Sequence, residues 1–139
     1  MPIAHKYTLM CDDVRQENTG KFIVIGLYTG NMTVPQLPAV LPFLTFFMFV
    51  EADRAGQFPI RMRLESMESG QRLIEGMGMM AVQRPGTGAS PIRVGPVQFQ
   101  TQGTYNFVVQ IEGQPEPIVT SFEVALPPAQ PIQFRQGQR

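Results

Sequence analysis

The sequence predicts an all-β fold, an antiparallel β-sandwich of eight or nine strands, immunoglobulin-like or related, with an open barrel as the next choice. Three observations predict it. Apolar and polar residues alternate over 57–65, 105–112 and 118–126, the period of a half-buried strand. Thirteen Gly and thirteen Pro punctuate the 139 residues, a spacing that suits short strands joined by turns. No long stretch carries helical periodicity.

Residues 5–11 read as the first strand, with Tyr7, Leu9 and Cys11 on one side. A loop over 12–20 leads to 21–28, which is apolar on both faces: Phe22, Val24 and Tyr28 on one, Ile23, Ile25 and Leu27 on the other. The run 43–50 is similar, with Phe43, Leu44, Phe46, Phe47, Met48, Phe49 and Val50 interrupted only by Thr45. A strand of this kind is central, or it shows one face to a partner chain. Between them 29–42, with Pro35, Pro38 and Pro42, crosses from sheet to sheet.

In 57–65, Phe58, Ile60, Met62 and Leu64 face the core, and Pro59 marks an edge or the strand start. Residues 72–82 form another strand, with Gly76 and Gly78 among large neighbours. Residues 83–91 are rich in Gly, Pro and Ser and read as a mobile loop. In 92–99 the apolar phase slips at Gly95-Pro96, which calls for a bulge or kink. The last two strands form a hairpin through Gly113-Gln114-Pro115-Glu116-Pro117, burying Tyr105, Phe107, Val109, Phe122 and Val124. The expected division is a sandwich domain over 1–126 and a Pro/Gln-rich tail over 127–139, extended or disordered.

Composition narrows the function. Eleven basic and eleven acidic residues cancel, and no basic stripe argues for nucleic acid. Charged residues are only 16%, a hint of association. A single cysteine allows no intrachain disulfide, and no apolar run is long enough for a membrane helix. The expected compartment is the bacterial cytoplasm.

No constellation of reactive residues emerges. His5 is the only histidine, and Cys11 lies roughly 20 Å further along the same strand, beyond hydrogen-bond reach. Asp12, Asp13, Glu17 and Asn18 form the densest polar cluster; they could offer oxygen ligands to Ca²⁺, but a solvated turn is the ordinary explanation. Met62, Met67, Met77, Met79 and Met80 lack the His or Cys neighbours of a copper site and read as packing residues. No catalytic, cofactor-binding or metal-binding residue is assigned, and no cofactor is expected.

The stretch Cys11-Asp12-Asp13-Val14-Arg15, Gly20-Lys21-Phe22 through Gly26-Leu27-Tyr28, the Pro35-x-x-Pro38 loop and Gly103-Thr104-Tyr105 resemble an uncharacterised bacterial family of small stand-alone β domains. The resemblance implies no activity and carries over no site residues. The expected function is a non-enzymatic structural or protein-interaction module, a homo-oligomer or bound to a protein partner, with neither nucleic acid nor membrane involved. The candidate interaction surface is Phe46, Phe47, Met48 and Phe49. The alternative is a small-ligand or glycan-binding sandwich that uses its loop ends.

Overall fold

The structure, a computed structural model, describes residues 3–128. Those residues form eleven strands: β1 (Ile3–Gln16), β2 (Phe22–Tyr28), β3 (Met32–Thr33), β4 (Ala39–Leu41), β5 (Leu44–Ala52), β6 (Gly56–Ser66), β7 (Arg72–Val82), β8 (Gly86–Val94), β9 (Val97–Phe99), β10 (Gly103–Ile111) and β11 (Ile118–Ala125). One sheet has the order β2-β1-β5-β8, the other β3-β11-β10-β6-β7, and β4 pairs with β9 in a short ribbon. All pairs are antiparallel except β3 with β11.

The alternating strands keep the register that their pattern predicts. Tyr105, Phe107, Val109 and Ile111 of β10 lie opposite Ser66, Leu64, Met62 and Ile60 of β6, so both apolar sets share one face. Phe58, Ile60, Leu64, Tyr105, Phe107, Val109, Phe122 and Val124 are buried, and Met62 is half-buried. The two sheets meet through Phe46 of β5, whose ring stacks on Phe107 at 3.9 Å between centroids. Phe99 closes one end against Tyr105 and Phe122. Pro59 is the fourth residue of β6, within its ladder to β7 but just before its ladder with β10 opens at Ile60.

Five expectations change. The strands among the described residues number eleven rather than eight or nine, because the 29–42 crossover contains β3 and β4 and the 92–99 segment splits in two. The first strand does not stop at Cys11 but runs on to Gln16, because β2 supplies it with a ladder as far as Phe22. Residues 86–91 belong to β8 rather than to a mobile loop. Their small side chains suit their partners: Ser90, Ala89 and Gly88 lie opposite Met48, Phe49 and Val50. Pro91 is tolerated because β8 is an edge strand. The slip in 92–99 is resolved as two strands, β8 and β9, separated at Gly95-Pro96. Finally, β2 is not central: it is the other edge of its sheet, with β1 as its only neighbour. The tail expectation lies outside the described residues from 129 onward.

Candidate functional site

The site begins with a bend. Where β1 leaves the side of β5, Asp12 stands against Gly26 of β2, which adopts φ +68°, a conformation that L side chains rarely reach. Glycine also leaves room for the Asp12 carboxylate, which would collide with any Cβ at position 26. Beyond this point the β1–β2 hairpin leaves its sheet's plane and crosses that sheet's outer face. Three contacts trace the crossing. The Thr45 hydroxyl of β5 donates to the Asp12 carbonyl at 3.2 Å. Arg93 of β8, two strands away, reaches Asp13 at 3.5 Å. The Phe22 ring meets the Phe47 ring edge-on at 4.9 Å.

This crossing explains the apolar run in β5. Leu44, Phe46, Met48 and Val50 face the core, while Thr45, Phe47 and Phe49 face outward. The hairpin covers that outer side, so Phe47 is only 2% exposed. The proposed surface of Phe46, Phe47, Met48 and Phe49 is therefore corrected: the first three are buried in the chain's own fold, and Phe49 is half-buried beneath the stacked ring of Tyr7.

The exposed apolar surface falls instead on the covering strand. Ile23, Ile25 and Leu27 share one face of β2 and are 44%, 42% and 47% exposed, and Val24 on the other face is also exposed. Phe22–Tyr28 contains no charged residue. The backbone groups on the far side of β2 have no strand partner among the described residues. Charges, prolines or bulges usually guard such an edge. The doubly apolar pattern allows either a central strand or one that shows a face to a partner chain, and β2 is not central; Gly26 inside the run is the signal of a bend, hence of a strand folded out of its sheet.

The polar cluster does not assemble as one loop. Asp12 and Asp13 lie in β1, whereas Glu17 and Asn18 belong to the hairpin turn. Each carboxylate is already engaged. Asp12 accepts the Tyr28 hydroxyl at 3.2 Å, Asp13 accepts the Val14 amide and faces Arg15 and Arg93, and Glu17 pairs with Lys21 at 3.6 Å. Among the described residues no group of three or more His, Cys, Asp or Glu is placed to hold a metal ion.

The electrostatics follow from this crowding. Burial, then the Asp12 charge and hydrogen bond, push the Tyr28 phenol up to about 12. Burial, then Asp12 and Asp13, also raise the Cys11 thiol. Cys11 is thus a free, buried thiol whose thiolate form is disfavoured. His5 lies 2.8 Å from the Thr8 hydroxyl and takes no part.

A groove of about 490 Å³ opens between β9 and the β6–β7 turn, lined in part by Gln71, Arg72, Gln98, Gln100 and Thr101. Among its polar groups, Arg72 binds Glu75 at 2.9 Å, and Tyr105 donates to the Thr101 carbonyl at 2.6 Å. No buried side-chain polar atom among the described residues lacks a partner.

The fold and this surface define an all-β sandwich whose distinguishing feature is an apolar strand edge. The model of a family of unknown function (DUF6941) matches residues 6–125, and the chain belongs to that family. No curated protein matches it. Among solved structures it is similar to a β-glucosidase, EmGH1, from Erythrobacter marinus, at 14% identity and a TM-score of 0.49. The match covers 88% of this chain, which spans 15% of the glucosidase.

Proposed function

We propose that the protein is a non-enzymatic interaction module that binds another protein strand along the open edge of β2. The carrying observation is the exposed, uncharged face of Ile23, Ile25 and Leu27 on a strand with one unpaired side. An added strand would satisfy the free backbone groups, and alternate side chains would meet the apolar face, the chemistry of β-strand addition. Two further facts favour binding over catalysis. The carboxylates around β1 are tied to neighbours, and the single thiol is buried with its pKa raised.

The test compares the wild-type chain with Ile23→Lys and Leu27→Lys, each immobilised and exposed to an extract of the source organism. The expected outcome is a retained protein that both variants lose, with slowed amide exchange at 22–28 in the complex. Identical retention by wild type and both variants would refute a β2 site.

A further inference from the structure

We infer that the strand added to β2 is β2 of a second copy, antiparallel about a two-fold axis through Ile25. This deepens the strand-edge reading and depends on it.

Ile25 is the midpoint of Phe22–Tyr28, so a register centred there pairs every residue of the strand. Antiparallel partners place their side chains on the same face. On one face Ile25 meets Ile25 of the other copy, and Ile23 meets Leu27 twice, forming an unbroken six-residue apolar stripe from the side chains now exposed. On the other face Phe22 meets Tyr28, an aromatic pair, and Val24 meets Gly26, a branched side chain opposite none. Centring on Val24 instead would bring the Lys21 ammonium onto Leu27. In the Ile25 register Lys21 stays beyond the stripe, next to Glu17, its ion-pair partner within the same copy. No like charges meet, because the strand has none.

The size of the contact sets its strength. A stable interface uses about 20–30 residues a side. A seven-residue edge supplies fewer. The pair therefore forms on concentration and separates on dilution. An isologous contact of this kind closes on itself, so it ends at two copies rather than growing into a fibre.

The experiment has two arms. Sedimentation velocity from micromolar to millimolar protein should show the wild type moving from one to two copies, while Ile25→Lys, with an unchanged melting temperature, stays single. Disulfide trapping then reads the register in a Cys11→Ser background, because Cys11 lies opposite Leu27 in the β1–β2 ladder of the same copy. Under mild oxidation Ile25→Cys should link to itself, and a mixture of Ile23→Cys and Leu27→Cys should link as the mixed pair faster than either alone. A wild type that stays single at millimolar concentration overturns the proposal, and so does dimerisation with no Ile25→Cys link. Retention of a different protein by β2 would then leave the strand-edge reading intact and remove only the second copy as its occupant.

Discussion

Gln114 sits in the hairpin turn before β11, where a polar residue would ordinarily meet water, yet it is 5% exposed. Its Oε1 accepts the backbone amide of Ile3 at 2.9 Å, tying the start of the chain to a loop more than a hundred residues away. Ile3 is itself buried, so Gln114→Ala would leave that amide without a partner at a cost of about 1–3 kcal/mol. Chemical denaturation should show the loss as a lower midpoint with an unchanged slope. Tyr28 offers a pH test at the same scale. Its folded pKa is about 12, above the ordinary value of 10.0. As pH rises through that interval, the unfolded chain loses the phenolic proton first, so the stability from the neutral phenol is complete below the ordinary value and declines across the window. Ultraviolet titration should find one tyrosine ionising well after an ordinary one. Tyr28→Phe should make the alkaline loss of stability shallower. Neither role was legible in sequence, because both depend on distant segments meeting: Gln114 with Ile3, and Tyr28 with Asp12 across the hairpin.

At the scale of elements, β6, β10 and β11 were legible because one face of each pairs with the core and the period of two survives in the sequence. β5 is central, as its pattern allows, and β2 is an edge strand, yet the two patterns look alike for one reason. A two-sided apolar pattern reports that both faces of a strand meet something, without saying what. In β5 the second face meets the folded-over hairpin; in β2, the face with Phe22 meets β5 through Phe47, while Ile23, Ile25 and Leu27 remain exposed. The candidate surface was thus placed one layer too deep. The bend itself is testable. Gly26→Ala would force a side chain into positive φ and against the Asp12 carboxylate, costing roughly 1–2 kcal/mol. Arg93→Ala removes the ion pair to Asp13 on the crossing hairpin. Because Arg93 is largely exposed, the expected loss of global stability is about 1 kcal/mol or less. Cys11, immediately before the bend, should nonetheless react faster with a maleimide in both variants than in the wild type. Unchanged labelling would mean that the hairpin is held by Phe22 on Phe47 rather than by the Asp12–Asp13 segment.

At the scale of the whole molecule, strand order rather than strand content governs behaviour, and strand order leaves little trace in a local pattern. Both sheets close through distant partners: Ile3 with Ala52, Leu44 with Val94, and Tyr105 with Ser66. The local hairpins β6–β7 and β10–β11 can form without waiting for those closures. Loop-closure entropy must be overcome before the distant pairings stabilise anything, so folding is expected on the millisecond-to-second scale typical of such topologies. Phe107 lies where the sheets join, opposite Leu64 in β10–β6 and stacked on Phe46 across the core. If the β6–β10–β11 unit docking on β5 forms the transition state, Phe107→Leu should slow folding with most of its effect on that limb of the chevron. Substitutions in the crossing hairpin, such as Val24→Ala, should chiefly speed unfolding, since that segment settles onto a sheet already built. The chain contains no tryptophan, so stopped-flow circular dichroism is the suitable probe. Slower folding for Val24→Ala than for Phe107→Leu would reverse the order, making the β1–β2 hairpin the nucleus on which β5 assembles.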